Sequence, residues 1–327
     1  MKVCFLVNSL HELTSEMSTS LLIHRVVQRG HSAWVCGVEE LEASPDDRLR
    51  ALVRAAPDGA YGDDWCAALR SAPREVVELD DLDLVWIRTN PARDPLHGAA
   101  HRAALRMLQI LAERRPSVLN DPQGLLRASS KLYLNDFPTD LRPRTLVSSN
   151  AQRLRRFVEQ AREAVLKPLE GTHGAGVFKV AADGGNLSTI VHMLLSQGPV
   201  IAQDVVHGAD QGDVRVLVLE GRPLTVDGQV AAVRRVPGEG EFRSNIHAGG
   251  RPEPEVLDEP MRRLVARVGG RLRADGLFLV GLDVIEGRII EINAFSPGGF
   301  GDAEAFCGVD FAGAVVEAAE GVVRSSS

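Results

Sequence analysis

The sequence predicts an α/β fold that turns α+β toward its C-terminus, and three stretches carry that prediction. The chain opens as strand, loop, helix, strand: apolar residues 2–8, polar residues 9–15, helically spaced residues 16–30 (Met17, Leu21, Leu22, Val26, ending at Gly30) and apolar residues 32–38. That order begins a unit with parallel strands. Residues 164–180 read as strand, glycine-rich loop, strand. Residues 277–301 read as an apolar hairpin folded about Glu286-Gly287 and followed by Ser296-Pro-Gly-Gly-Phe-Gly301.

Composition narrows the functions open to such a fold. The chain has 327 residues, 44% hydrophobic and 25% charged, enough for two or three core-forming units. A net charge of -7 argues against wholesale binding to nucleic acid or an anionic membrane. No stretch approaches the unbroken apolar length of a membrane span, and the opening apolar run is a strand rather than a signal peptide. Cys4, Cys36, Cys66 and Cys307 are scattered without a C-x-x-C pair. Such spacing fits a reducing cytoplasm, without structural zinc or a disulfide framework, and each cysteine reads as a small buried hydrophobe.

The remaining elements follow in order. Residues 42–80, rich in Asp, Pro, Ala and Arg, read as loops with short amphipathic pieces. Residues 83–87 form a strand that runs into Arg88-Thr-Asn-Pro91. An arginine at a strand end, in a loop stopped by proline, is placed to hold a substrate carboxylate through its planar fork; a surface arginine in a turn is the alternative. Loops at the carboxyl ends of parallel strands commonly form ligand sites, so the polar loop from Asn8 to Ser20 is a second candidate contact. Residues 99–115 read as a helix, 117–120 as a brief strand, 123–134 as one or two short helices carrying Lys131, and 151–161 as a helix. Residues 200–206, 213–219 and 231–236 read as strands, and 237–250 as a long loop of the kind that serves as a lid. Residues 258–274 and 311–323 read as helices, the second followed by a frayed Arg-Ser-Ser-Ser tail.

The site candidates come from two of the three stretches. Lys167 sits at a strand end, where an ammonium can neutralise phosphate. Gly171, Gly174 and Gly176 allow successive backbone N–H groups to face phosphate oxygens, although neither G-x-x-x-x-G-K-[ST] nor G-x-G-x-x-G is present. In the hairpin, Glu291 and Asn293 are two apart and share a face. Asp283 joins that face only if the loop has odd length, as a three-residue loop over 286–288 would, or if a strand carries a bulge. Two carboxylates and a carboxamide on a buried sheet suit Mg²⁺, with substrate phosphates filling other positions. An ordinary half-buried hairpin with solvated acids is the alternative, and the glycine-rich run that follows counts against it.

In order, the chain carries Lys131, Leu166-Lys-Pro-Leu-Glu-Gly-Thr-His-Gly-Ala-Gly176, Gln203-Asp-Val-Val206, Asp213-Val-Arg215, Arg235-Val-Pro, Asn245…Ala248-Gly-Gly-Arg251, and Gly281-Leu-Asp283…Glu291-Ile-Asn293…Ser296-Pro297. This order resembles the ATP-grasp superfamily and, within it, the prokaryotic glutathione synthetases. The resemblance implies an ATP-grasp fold behind a Rossmann-like pre-ATP-grasp domain: 1–120, 121–200 and 201–327 as N-terminal, central and C-terminal units. It implies an ATP-dependent carboxylate–amine ligase using ATP and two Mg²⁺ ions, with Mn²⁺ as a substitute. Lys131 and Lys167 would contact the phosphates and the Gly171–Gly176 loop would close over them. Backbone from Gln203 through Asp204, Val205 and Val206 would meet adenine, and Asp213 the ribose. Arg215 and Arg235 would stabilise the transferred phosphoryl group. Asp283, Glu291 and Asn293 would hold metal. Arg88, Ser244, Asn245, Ser296, Gly298 and Gly299 would face the small-molecule acid and amine, implied to be γ-glutamylcysteine and glycine. Family members are often homo-oligomers. The run Ala294-Phe-Ser-Pro-Gly-Gly-Phe300 departs from the family's usual Thr-Ser-Pro-Thr, so a ligase for another acid and amine is the runner-up. A non-catalytic ATP-binding regulator is third, and the full set of metal ligands argues against it.

Overall fold

The computed structural model describes residues 1–114, 117–169, 176–238 and 250–326. Its N-terminal sheet is built around the predicted parallel strands: Lys2–Val7 lies between Ser32–Gly37 and Leu84–Ile87, and Ser117–Leu119 extends the last. Alternation divides the strands' side chains between two cores. Val3, Phe5 and Val7 face the helices Ser18–Gln28 and Phe311–Ser326, while Cys4 and Leu6 face the helix Gly98–Ala112. The C-terminal helix thus returns to the first domain, where Arg29 Nε and His31 Nε2 reach Glu320 at 2.7 and 2.8 Å. It continues to Ser326, through residues 324–326 that were expected to fray.

Residues 42–80 are more regular than the sequence reading held. Leu41–Ala43, Leu49–Ala55 and Arg74–Glu78 form an antiparallel extension of the sheet, and Asp63–Ser71 is a helix. Along Leu49–Ala55 the inward positions Leu49, Ala51 and Val53 are buried. Arg50 and Arg54 stand between them and answer Glu78 and the Ala72 carbonyl, so the charge that disguised the strand is locally satisfied.

A second, antiparallel sheet orders Phe178–Ala181, Glu163–Pro168, Val200–Asp204 and Thr145–Ser148. The helices Ala151–Ala161 and Leu187–Leu195 bury their apolar stripes on it. A third sheet orders Arg251–Pro254, Ala232–Val236, Asp213–Leu219, Leu279–Ile285 and Arg288–Asn293, backed by the helix Glu259–Ala274. Asp258 caps that helix by accepting from Met261 N at 2.8 Å. A cleft of about 690 Å³ opens where the three sheets meet.

Candidate active site

The hairpin resolves the register question through a bulge. Its turn has two residues, Glu286 and Gly287, both at positive φ (44° and 70°). Ile285 pairs Arg288 and Val284 pairs Ile289, and the register then shifts so that Asp283 pairs Glu291. The extra residue puts Asp283, Glu291 and Asn293 on one face, which the turn alone would not do.

The neighbouring strands add two guanidinium groups to that face. Arg215 pairs Asp283 across the sheet and grips it bidentately, with Nη2 donating to Oδ2 at 3.0 Å and Nε to Oδ1. Arg235 Nη2 donates to the same Oδ2 at 2.9 Å, and Asn293 Nδ2 reaches it at 3.3 Å. Arg235 also grips Asp213 bidentately, at 2.7 and 2.6 Å. Gly281 makes room for this arrangement, because a Cβ there would stand 2.9 Å from Arg215 Cδ. Asp283 is 2% exposed. Burial alone would raise its pKa, but the two guanidinium groups outweigh burial and hold the carboxyl below the usual carboxylate range. Burial likewise opposes the charge on Arg235, and Asp283 and Asp213 overcome it and push the guanidinium up.

Across the cleft, Lys167 Nζ donates to Gln203 Oε1 at 3.1 Å, and Gln203 Nε2 donates to Thr145 Oγ1 at 3.1 Å. Lys167 is half-buried as a residue, yet its ammonium sits deep in the cleft, where desolvation lowers its pKa to about 8. Glu291 and Asp283 act in the opposite sense, and Lys131 adds to the lowering. Glu291, Asp283 and Lys131 therefore lie within electrostatic reach of Lys167, with Lys131, Lys167, Glu291 and Asn293 lining the cleft.

At the N-terminal edge Arg88 is 4% exposed, and burial pushes its guanidinium down to about 9. It donates to Pro297 O at 2.9 Å and to Thr19 Oγ1 at 3.2 Å, and Thr19 Oγ1 lies 3.3 Å from Ser296 Oγ. Among the described residues no carboxylate pairs with it. Arg215 Nη1 approaches Gly298 O at 3.4 Å, so two arginines hold the backbone of the 296–299 loop. Gly299, at φ 112°, turns that loop into the helix Phe300–Cys307.

The structure bears on several of the expected placements. Asp213 is 3% exposed and spends both oxygens on Arg235, so it orients that guanidinium and its carboxylate does not face the cleft as a ribose ligand would. Asp204 directs its side chain away to Arg144, at 3.0 Å. The expected strand over 200–206 ends at Asp204, and Val205 and Val206 follow outside it. Gly176, at φ 69°, packs on Pro168, whereas Gly171, Gly174, Ser244 and Asn245 lie outside the described residues. The sequence reading also missed Asn120. Its carboxamide donates to Leu279 O (2.9 Å) and Ala294 O (2.6 Å) and accepts from Leu279 N (2.8 Å), tying the first domain to the hairpin that carries Asp283 and Glu291. Thr19 fell within the candidate loop but was not singled out.

The family model of the prokaryotic glutathione synthetase ATP-grasp domain matches residues 130–307, and that of the corresponding N-terminal domain matches residues 1–126. The chain belongs to the prokaryotic glutathione synthetase family. The glutathione synthetase of Synechococcus elongatus is 34% identical over 332 residues, covering 99% of each chain. That of Agrobacterium fabrum is 35% identical over 248 residues, 75% of this chain and 74% of the relative. The crystal structure of a D-cycloserine synthetase superposes with a TM-score of 0.64 at 19% identity, covering 96% of this chain and 99% of that one. That likeness establishes the fold, which is the ATP-grasp architecture expected from the sequence. The protein is an ATP-dependent C–N ligase of the glutathione synthetase type. Its two family matches meet between residues 126 and 130, at the end of the helix Pro122–Ala128.

Proposed function

We propose that the chain joins γ-glutamylcysteine to glycine at the expense of ATP, through an acyl-phosphate. The observation that carries the site assignment is the convergence of Lys131, Asp283 and Glu291 within electrostatic reach of Lys167 at the cleft. A carboxylate is a poor electrophile until phosphorylation turns one of its oxygens into a leaving group. The transferring phosphoryl group spreads charge over its oxygens, and fixed cations in a water-poor site are the means of offsetting it. In this reading Lys131 and Lys167 take the phosphates, and Arg215 and Arg235, aligned by Asp283 and Asp213, take the phosphoryl group. Arg88 and Ser296 take the acid, with the Gly298–Gly299 backbone beside them.

The donor set fits a hard divalent cation: all three proposed ligands offer oxygen, and the bulge brings them onto one face. Glu291 and Asn293 face the cleft, while the charge of Asp283 is already balanced by two arginines, so the first two are the readier ligands. Mg²⁺ held there would supply charge neutralisation at the phosphates. We further propose two ions, Mn²⁺ as a substitute, units over 1–120, 121–200 and 201–327, and a homo-oligomer located in the cytoplasm. No helix among the described residues is long and apolar enough to cross a membrane.

A ligase for another acid and amine is the second reading, favoured by the altered loop that Arg88 and Arg215 grip. ADP release with γ-glutamylcysteine and glycine, each omitted in turn, separates the two. Release that needs both, with a product of glutathione mass, supports the first. ATP binding without turnover of that pair supports the second.

A further inference from the structure

The reaction leaves a proton without a destination. An amino acid reaches the site as an ammonium, which cannot attack until it loses a proton. The titratable groups that line the cleft among the described residues are mostly committed: Lys131 and Lys167 are cations, and Glu291 is a proposed metal ligand. One histidine also lines it. His101 is 5% exposed, and its Nε2 donates to Asp94 Oδ2 at 3.1 Å. Asp94 Oδ1 accepts from His97 Nδ1 at 2.7 Å. Burial opposes charge on Asp94, but the two imidazole hydrogen bonds hold its carboxyl below the usual range. An ionised carboxylate on Nε2 fixes the proton there and leaves Nδ1 as the lone-pair nitrogen of the neutral ring. The His101 wall is continuous with the acid side, since Asn90 and Ser296 line both the cleft and the small chamber beside Arg88.

We infer that His101, oriented by Asp94, is the base that deprotonates the amine substrate. The ammonium proton passes to Nδ1. The neutral nitrogen then forms the C–N bond at the acyl carbon, the C–O bond to phosphate breaks, and phosphate leaves with the bonding pair and the second N–H proton. His101 returns its proton to solvent. The charged groups around it are consistent with this division of labour. His97 faces Asp94, Glu39 and Glu12, and its pKa is raised, first by the hydrogen bond to Asp94. Arg102 follows in the same helix, and Lys131 stands on the same cleft.

The inference rests on the ligase reading above, and the test separates the two. His101→Gln is compared with wild type using glycine and using hydroxylamine, which is already neutral at pH 7 and needs no base. A base of this kind is worth about 10²–10⁴-fold. The expected result is a loss of at least about 100-fold in kcat with glycine and less than about 3-fold with hydroxylamine. The glycine rate of the variant should also climb steadily with pH where wild type has levelled off. Asp94→Asn, acting through His101, should give the same pattern at smaller amplitude. Equal losses with the two amines, or an unchanged pH profile, would overturn the inference while leaving the ligase reading standing. Wild-type protein that makes neither amide nor hydroxamate from γ-glutamylcysteine would overturn the substrate reading and this inference with it.

Discussion

Replacing Arg88 by methionine separates the cost of burying a charge from the use made of it. Burial pushes this guanidinium down to about 9, about 3.5 pH units below an ordinary one. At ~1.4 kcal/mol per pH unit, that is roughly 5 kcal/mol of desolvation. Its hydrogen bonds to Pro297 O and Thr19 Oγ1, each worth about 1.5–3 kcal/mol for a charged donor, offset most of it. Methionine removes both terms and fills similar space, so folding stability should move by no more than about 2 kcal/mol in either direction. Binding is a different matter, because the substrate carboxylate would be the missing partner of a desolvated cation. Losing one member of such a pair costs about 2–4 kcal/mol, or roughly 30- to 1000-fold. The assay is kcat/KM for the acid at saturating ATP and amine, beside the KM for ATP and a thermal melt. A 30-fold or greater fall for the acid, with ATP little changed and the melt near wild type, is expected. An unchanged acid kcat/KM, or equal damage to acid and ATP, would refute the reasoning.

Other expectations follow from the same geometry. Glu291→Gln keeps the strand and its size but removes a cleft-facing carboxylate; turnover should vanish and Mg²⁺-dependent ATP binding weaken, with the melt unchanged, whereas wild-type activity would remove the metal assignment. Gly281→Val places side-chain atoms against Arg215, whose Cδ would lie 2.9 Å from a Cβ there, so kcat should fall at least about 10-fold with ATP affinity largely kept. Glu320 joins the first and last helices, and the Arg29 hydrogen bond, with His31, pushes its carboxyl down from 4.5 to about 2. A lowered carboxyl pKa stabilises above the unfolded value and is lost as pH falls. The gap between wild type and Glu320→Gln, on the order of 1 kcal/mol at pH 7 after solvent screening, should therefore close between about pH 4.5 and pH 2 in denaturant titrations.

What the sequence disclosed was mostly periodic or local. Ser32–Gly37 and Asp213–Leu219 announce themselves by apolar content and alternation, and Ala151–Ala161 by its spacing, and each formed where expected. Glu291 and Asn293 share a face because they are two apart. Asp283 joined them through a bulge, which a two-residue turn leaves invisible in sequence. Longer-range pairings were hidden for a different reason. Arg215 and Asp283 are 68 positions apart, and Asn120 and Leu279 are 159 apart, so nothing local marks them as partners. The resemblance implies a ribose contact at Asp213. Only the cross-strand pairing with Arg235 reveals that its carboxylate is already occupied.

The central claim is that the acid is activated by phosphoryl transfer before the amine attacks. It is tested most directly by supplying the acid with its reacting carboxylate labelled with ¹⁸O and weighing the products. The account predicts one labelled oxygen in inorganic phosphate, with unlabelled ADP, for each amide formed. Label in AMP, or amide formation with unlabelled phosphate, would contradict it.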